Sequence, residues 1–333
     1  MVEKLYEKPE IYRIFIPLPD NPLKNLNCYV IHSGDEYLMI DTGFNRPECK
    51  EAMEAGLGEL AIPFDKLKLF LSHLHGDHTG LVSYFTANGV IPYMGQMDYE
   101  YLQGSISGDN WARMSLLFGV NGFPQDELDK QAYGNQARNY SPKEKFPVQF
   151  VKDGDVITVG DVSLRCIHVP GHTPGQICLY MEEEKIFFSA DHVLFDITPN
   201  ISVWLNSNCS LKNYLASLEK VAALEIVKTF PGHREFAGNI YDRIKALKKH
   251  HHDRLQEILS DVAAHEGCKP YETAGRIAWS ARGRAWSQFS PNQRWFAMGE
   301  TLAHLEWLLA EGYVRKDAEN HYYTVRQRLD DWN

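Results

Sequence analysis

The segment Ser72-His73-Leu74-His75-Gly76-Asp77-His78 decides how this chain is interpreted, because it places three histidines and an aspartate within six residues. Alternate residues of an extended strand project to one side, so His73 and His75 can point to the same place. A helical turn after the segment's glycine would bring Asp77 and His78 back toward that place. Imidazole and carboxylate are common ligands of first-row metals, so the segment predicts a metal site, with zinc as the leading ion. The alternative is a histidine-rich surface loop, but an apolar run leads in and a helix-like stretch follows.

Composition and charge limit the classes of function. The chain has 333 residues, of which 44% are hydrophobic, and this size fits one large domain plus a small one, or two domains. The net charge is −10, and residues 1–240 carry 20 Lys and Arg against 31 Asp and Glu. Residues 241–333 carry 14 Lys and Arg against 13 Asp and Glu. This balance does not favour nucleic acid as a partner.

The chain carries no sequence signal for export or for a membrane. Residues 1–9 are charged and lack the apolar core of a signal peptide, and no run of 18 apolar residues occurs. The six cysteines are scattered without a CxxC pair, which is typical of reduced thiols. We therefore expect a cytoplasmic protein that has no membrane partner.

Hydrophobic patterning predicts an α/β fold. Short runs of β-branched and aromatic residues predict strands at 11–16, 28–32, 37–40 and 67–72, and again at 149–151, 156–159, 163–169, 176–181 and 185–189. Helices are predicted near 47–57, 211–223 and 238–262, with the run His250-His251-His252 on a solvated surface. Two strand-rich halves, each followed by helices, indicate two sheets packed face to face with helices outside.

The same pattern predicts two domains. Residues 1–245 would form a large domain that contains the histidine segment, with a partly helical insertion at about 104–147 that either caps the site of this segment or is a surface excursion away from it. Residues 246–333 show two amphipathic helices and a hairpin with a polar turn, which indicates a small C-terminal helical domain of winged-helix type.

Three further residues are candidate ligands. His172 lies in a Pro/Gly loop after a strand, Asp191 ends another strand, and His233 follows Pro231-Gly232 after a third. A lone histidine or aspartate in such a place is more often a hydrogen-bonded loop residue or a cap. Together with the first segment they predict one metal site, because all of them fall at strand ends.

These residues as a set closely resemble the five motifs of the metallo-β-lactamase fold superfamily over roughly residues 10–240. The motifs are Asp41-Thr42-Gly43, His73-x-His75-x-Asp77-His78, His172, Asp191 and His233. The resemblance implies an αββα sandwich with two metals at one edge of the sheets. It implies that His73, His75 and His172 hold the first metal, that Asp77, His78 and His233 hold the second, and that Asp191 bridges them. Asp41 would orient a ligand by hydrogen bonding, or would only form a turn.

The resemblance also implies a hydrolase with two Zn²⁺ ions, although iron and manganese tolerate the same ligands. A metal-bridging hydroxide would attack the substrate, and Asp77 would help to orient it. Relatives with two redox irons carry Glu in place of His75, and class B1 lactamases carry Cys in place of Asp191. Asp191 instead resembles the glyoxalase II, lactonase and ribonuclease branches. We therefore expect a small-molecule ester, thioester or lactone as substrate, rather than a β-lactam.

Several roles stay open at this point. His192 is either a general acid that touches substrate or a packed histidine. Trp204 and Phe195 are candidates to line the pocket, and Arg234 either binds an anion or makes a surface ion pair.

The C-terminal domain leaves alternatives to a small-molecule hydrolase. It resembles the winged-helix-like domain of the mitochondrial β-lactamase-like endoribonuclease, so an RNA or DNA phosphodiesterase is the first alternative. A non-catalytic winged-helix binding protein is the second, and an iron redox protein is the third. A basic patch would come from Arg276, Arg282, Arg284 and Arg294. The near-neutral charge instead favours a domain that packs on the catalytic domain or forms a homodimer.

Overall fold

Two β-sheets form the centre of the molecule in the computed structural model, which describes residues 1–235, 238–279 and 284–330. In these residues the first sheet has the strand order β1 to β7, antiparallel up to β4 and parallel from there on. Its strands are Val2–Glu7 (β1), Glu10–Pro17 (β2), Asn25–Ser33 (β3), Glu36–Ile40 (β4), Leu67–Leu71 (β5), Tyr93–Gly95 (β6) and Gln149–Val151 (β7). The second sheet has the order β12-β11-β10-β9-β8, where only the β11–β12 pair is parallel. Its strands are Val156–Val159 (β8), Val162–His168 (β9), Ile177–Met181 (β10), Ile186–Ala190 (β11) and Lys228–Pro231 (β12).

Alternation along the strands explains why the sheets stack. In β3, Tyr29 and Ile31 join the core between the two sheets, whereas Cys28 and Val30 join the core under the outer helices. In β10, Leu179 faces the same central core, and its neighbours face the opposite side. Successive side chains of a strand point to opposite faces, so both faces of each sheet must be covered.

Helices cover the outer faces of both sheets. The helices are Pro47–Glu59 (α1), Gly76–Thr79 (α2), Val82–Ala87 (α3), Gln96–Ile106 (α4), Asp109–Val120 (α5), Gln125–Gly134 (α6), Gln136–Asn139 (α7), Ser210–Ala222 (α8), Ile240–Ala264 (α9), Pro270–Arg276 (α10) and Pro291–Ala310 (α11). Helices α1 and α3 pack on the first sheet, and α8 and α9 pack on the second. The predicted αββα sandwich is therefore confirmed. None of the described helices has both the length and the apolar character that crossing a membrane requires.

The C-terminal elements pack on the sandwich and on the helices of 104–147. A hairpin of Val314–Lys316 (β13) and Tyr322–Thr324 (β14) follows α11. The rings of Phe118 in α5 and Trp295 in α11 stack at 4.0 Å between centroids, and Arg294 pairs with Glu127 of α6. Helix α11 therefore joins both regions into one hydrophobic cluster.

The solvated surface predicted for residues 250–252 is wrong for His251. This side chain is buried, because α9 is covered by both α8 and α11. Its ring lies edge-on to Tyr214, and its Nδ1 lies 3.1 Å from Nε2 of His304. Burial and the neighbouring His304 lower the pKa of His251, so it is a neutral histidine of the core.

Candidate metal centre

All seven predicted ligands meet at one edge of the sandwich. Strand β5 ends at Leu71, the histidine segment follows as a loop, and α2 begins at Gly76. The other three ligand candidates follow strands of the second sheet, so their side chains reach the same edge. The residues brought together are His73, His75, Asp77, His78, His172, Asp191 and His233. The two loop histidines lie beyond the end of the strand, which differs from the extended strand expected for them.

Three imidazole nitrogens form the first group. The distance from Nδ1 of His75 is 3.1 Å to Nε2 of His73 and 3.0 Å to Nε2 of His172. These nitrogens all lie within 4.8 Å of one another. Ligand nitrogens that each stand about 2.0–2.1 Å from one zinc ion have separations of this size.

The second group faces the first across Asp191. Nε2 of His78 lies 3.2 Å from Nε2 of His233, which in turn lies 3.3 Å from Oδ2 of Asp77. Oδ1 of Asp191 lies 3.5 Å from Nε2 of His78, and its Oδ2 lies 3.6 Å from Nε2 of His172. The Asp191 carboxylate is therefore placed between the two groups, where a bridging ligand would lie.

Hydrogen bonds on the outer side of the histidines fix which nitrogen faces the centre. Nδ1 of His78 lies 2.7 Å from Oδ2 of Asp41, and Nδ1 of His233 lies 2.7 Å from the carbonyl oxygen of Asn25. Nδ1 of His172 donates in the same way to the carbonyl of Asn200, at 2.9 Å. A proton held on Nδ1 leaves the lone pair on Nε2 directed into the site, which is the usual arrangement of metal-binding histidines.

The donor set fits metal ions on two observations. Nε2 lone pairs of His78 and His233 approach to 3.2 Å, and such a contact is repulsive unless a cation or a proton lies between them. Oδ1 of Asp191 is buried and has no hydrogen-bond partner among the described residues. Buried polar atoms of this kind are normally satisfied, so a ligand outside the protein chain is expected here. The nitrogen and carboxylate oxygen donors suit zinc, iron or manganese.

The histidines of the centre fall into two kinds according to whether their pKa is lowered or raised. Burial lowers the pKa of His75 to about 3 and lowers the pKa of His172. Burial also acts to lower the pKa of His78 and His233, but neighbouring aspartates outweigh it and raise both. Burial acts to raise the pKa of Asp77, but His78 and His233 bring it to about 2. The carboxylates are therefore ionised at neutral pH and available as ligands.

Gly232 is required for the close approach of the strands at this centre. A Cβ atom at this position would lie 2.6 Å from Oδ1 of Asp191 and 3.2 Å from Cε1 of His78. Its backbone N–H donates to the carbonyl of Ala190, and its carbonyl accepts from the backbone N–H of Asn27. Any side chain at residue 232 would displace two of the candidate ligands.

Asp98 is a functional residue that the sequence analysis missed. It is buried in α4, and its carboxylate accepts hydrogen bonds from the backbone N–H of Leu74 at 2.9 Å and from Oγ1 of Thr173 at 2.6 Å. It also accepts from the backbone N–H of Gly175. Burial raises the pKa of Asp98 to about 7 against the effect of these donors. One carboxylate thus ties the loop of His73 and His75 to the loop of His172.

The C-terminal helix α11 also reaches this centre through a buried polar chain. Nδ2 of Asn200 donates to Oε2 of Glu300 at 3.2 Å, and the carbonyl of Asn200 accepts from His172. Nε of Arg254 lies 3.5 Å from Oε1 of Glu300. Glu300 therefore supports the backbone that orients a candidate ligand, although it is distant from that ligand in sequence. A glutamate within an apolar helix face was the only sequence signal for it.

The remaining candidates divide between the centre and its surroundings. Trp204 lies beside the centre, where its Nε1 donates to the carbonyl of His172 at 3.1 Å and its ring centroid lies 5.8 Å from that of His75. His192 is buried with its ring edge-on to Tyr214, and burial lowers its pKa to about 3. This placement favours the packed alternative for His192 over the general acid. Phe195 packs on the core of the second sheet.

The candidate arginines within the described residues contact protein groups. Arg234 donates to the carbonyl of Pro22 rather than facing the centre. Arg276 is paired with Asp261 at 2.8 Å, and Arg294 with Glu127. Arg284 lies 3.5 Å from Oε1 of Gln293, and Arg282 lies outside the described residues. In the described part of the C-terminal domain, two of the predicted patch residues are thus neutralised by carboxylates.

Residues 22–233 match the Metallo-beta-lactamase superfamily, and residues 287–326 match the Metallo-beta-lactamase-like, C-terminal domain. The first match covers more than half of the chain and includes every candidate ligand. The chain therefore belongs to the metallo-β-lactamase superfamily. The resemblance inferred from the five motifs is confirmed.

Curated relatives include two thioesterases. The chain is 26% identical over 258 residues to the atrochrysone carboxyl ACP thioesterase of Emericella nidulans, a match that covers 78% of this chain and 66% of that protein. It is 27% identical over 220 residues to an acyl-coenzyme A thioesterase of Gallus gallus. This match covers 64% of this chain and 73% of that protein. The chain thus spans slightly less than two thirds of the fungal relative.

Solved structures show the same fold over nearly the whole chain. A metallo-β-lactamase family protein from Thermus thermophilus superposes with a TM-score of 0.80 at 27% identity, covering 94% of this chain and 98% of that one. A β-lactamase domain protein from Burkholderia ambifaria superposes with a TM-score of 0.82 at 22% identity, covering 97% and 94%. The C-terminal elements are therefore shared with these proteins as well as the sandwich.

Proposed function

We propose that this chain is a metal-dependent hydrolase of thioesters that uses two zinc ions. The observation that carries this proposal is the convergence of five imidazoles and two carboxylates, three of the imidazoles with Nδ1 hydrogen-bonded outward. Closed structural zinc sites use four ligands, whereas this centre offers seven, so it has the capacity for two ions that keep positions open for water or substrate. Iron and manganese remain the alternative ions for this ligand set.

Thioesters are proposed as the substrate class, ahead of other small esters and lactones, because two similar curated proteins are named as thioesterases. At identities of 26–27%, the proposal names thioesters as a class and assigns no particular acyl group or thiol. The side chain of His75, in place of the glutamate typical of two-iron redox relatives, supports hydrolysis. An RNA or DNA phosphodiesterase is less favoured, since Arg276 and Arg294 are paired with carboxylates.

The metal ions, when bound, would lower the pKa of a water molecule and stabilise the oxyanion that develops on the attacked carbonyl. The chain's own residues prepare the site for this. Asp41, Asn25 and Asn200 hold the proton on Nδ1 of three histidines, so that Nε2 is free to bind. The Asp77 carboxylate is ionised, and we assign to it the orientation of the attacking water as well as a ligand role.

The surroundings of the site support a small-molecule substrate. Trp204 forms an aromatic wall beside His75, with Tyr101 packed edge-on against it at 4.9 Å between centroids. Such a wall would cover an acyl chain rather than a nucleic-acid backbone. A cytoplasmic location and a homodimer formed through the C-terminal domain are part of the same proposal.

The test is an activity screen of the metal-loaded protein on acyl-coenzyme A, simple thioesters, esters, lactones and phosphodiesters. We expect hydrolysis of thioesters, and a loss of at least about 10³-fold in kcat/KM for Asp77→Ala. Exposed Asp129→Ala is the matched control and should retain full activity. Hydrolysis of phosphodiesters without thioesters would contradict the proposed substrate class. Activity that survives Asp77→Ala would remove Asp77 from its assigned role.

A further inference from the structure

A polar cavity of about 200 Å³ lies between α4, the start of α5, and α7 with the segment that follows it. The ligand chemistry described above does not use it. Its polar and aromatic lining is supplied by Ser105, Trp111, Arg138, Asn139, Ser141 and Lys143. Two cationic side chains therefore border one space, whereas the hydroxyls of Ser105 and Ser141 donate to the backbone carbonyls of Tyr101 and Ala137.

The two cations in this cavity are not neutralised by protein carboxylates. Within the described residues, no Asp or Glu oxygen lies within 4.0 Å of the Arg138 guanidinium or the Lys143 ammonium. Lys143 donates to the carbonyl of Arg138 at 3.0 Å, and the guanidinium lies 5.6 Å from the ring centre of Trp111. Burial and the charge of Arg138 lower the pKa of Lys143. By contrast, Lys130 in the same region is paired with Asp126 at 2.8 Å.

The cavity shares a wall with the candidate metal centre. A Cβ atom at Gly76 would lie 2.7 Å from Oγ of Ser141 and 3.0 Å from the carbonyl oxygen of Ala137. Gly76 is the residue between the candidate ligands His75 and Asp77. The cavity therefore lies directly behind the loop that carries these two candidate ligands.

We propose that this cavity binds a phosphate group of the thiol carrier in a thioester substrate. The proposal rests on the thioester hydrolysis proposed above and names the carrier class. A guanidinium offers a fork of N–H donors that matches the oxygens of a phosphate, and an ammonium adds a point charge. Coenzyme A and the prosthetic arm of acyl-carrier proteins share this chemistry, since both attach a phosphate to pantetheine.

The test is titration calorimetry with thioethers, which the enzyme cannot hydrolyse. The ligands are S-methyl-coenzyme A, S-methyl-phosphopantetheine and S-methyl-pantetheine, and the last of these lacks phosphate. We expect the dissociation constant for S-methyl-coenzyme A to be at least about tenfold lower than that for S-methyl-pantetheine. Arg138→Gln and Lys143→Gln should each remove most of this difference. Lys130→Gln, a cation paired with a carboxylate nearby, should leave it unchanged.

The three ligands also distinguish the source of the phosphate. Equal affinity for the phosphopantetheine and coenzyme A thioethers would assign the cavity to the phosphate next to the arm, which carrier proteins also present. Tighter binding of the coenzyme A thioether alone would assign it to the nucleotide phosphates of the free coenzyme. Equal affinity for all three thioethers would overturn the proposal. Phosphate-dependent binding without hydrolysis of any thioester in the activity screen would contradict the proposed function and leave the cavity's assignment standing.

Discussion

Oδ2 of Asp41 lies 2.7 Å from Nδ1 of His78, and both side chains are buried. Oδ1 of the same carboxylate accepts from the backbone N–H of Ser72, and Oδ2 also accepts from its hydroxyl. The carboxylate therefore fixes the proton of one candidate ligand and the start of the loop that carries two others. Its backbone φ of 65° is one that Asn also adopts, so an amide can replace it without straining the chain.

Asp41→Asn should weaken metal binding. If the amide turns its NH₂ group toward Nδ1 of His78, that group faces two other donors, the N–H of His78 and the hydroxyl of Ser72. If the amide oxygen lies there instead, the NH₂ group faces the backbone N–H of Ser72, and that hydrogen bond is lost. We expect the affinity of one of the two metals to fall about 10–100-fold, as is usual when the partner of a ligating histidine is changed. Competition with a chromogenic chelator measures it. Asp35→Asn, an exposed aspartate paired with Lys66, is the control, and an equal loss there would contradict the assigned role.

Asp98→Ala should lower both stability and metal content. The substitution leaves the backbone N–H groups of Leu74 and Gly175 and the hydroxyl of Thr173 without their acceptor. We expect the free energy of unfolding to fall by about 3 kcal/mol, because buried donors without partners are costly. Asp98→Asn should cost less, since its amide oxygen still accepts. Urea unfolding and elemental analysis check both, and full metal content in Asp98→Ala would show that the loops do not depend on this carboxylate.

Glu300→Ala should impair catalysis from a distance. Without Oε2, the side chain of Asn200 loses the shorter of its hydrogen bonds and keeps the one to the carbonyl of Phe296 at 3.5 Å, so its own carbonyl positions His172 less firmly. We expect kcat to fall by about tenfold with little change in KM, and Glu300→Gln to recover most of it. The absorption spectrum of the Co²⁺-substituted protein should shift for the alanine variant only. An unchanged spectrum together with a lower kcat would assign the effect to something other than the histidine's orientation.

Glu306→Gln should change how stability depends on pH. Burial raises the pKa of Glu306 in α11 to about 7, above its ordinary value of 4.5, although Lys316 opposes this effect. Between those pH values the folded state holds the proton more tightly than the unfolded state, so the contribution of Glu306 to stability falls as the pH rises. The glutamine variant lacks this loss. We expect its free energy of unfolding to equal that of the wild type near pH 4.5 and to exceed it by about 3 kcal/mol above pH 7.

Denaturant titrations of both proteins at several pH values give the difference between them. Glu319→Gln, at an exposed glutamate of the β13–β14 turn, should follow the wild type at each pH. A constant difference between Glu306→Gln and the wild type across the range would show that Glu306 does not titrate with a raised pKa.

The candidate ligands could be predicted from the sequence because short segments of the chain contain the pattern that reveals them. Four of them lie within six residues, and the other three follow strands that patterning predicts. Asp98 and Glu300 could not be predicted from the sequence, because each acts through tertiary contacts with loops far along the chain. Strand β1 was missed since it is a sheet-edge strand whose charged side chains, Glu3 and Lys4, face solvent. The burial of His251 follows from the packing of three helices, which no property of the local run reveals.

Anomalous diffraction at the zinc edge, from crystals of the metal-loaded protein, locates the bound ions. We expect two peaks, one among His73, His75 and His172 and one among Asp77, His78 and His233, with Asp191 between them. A peak at either group alone would contradict the two-ion centre. The absence of any peak there, in protein that hydrolyses thioesters, would contradict the assignment of these seven residues as metal ligands.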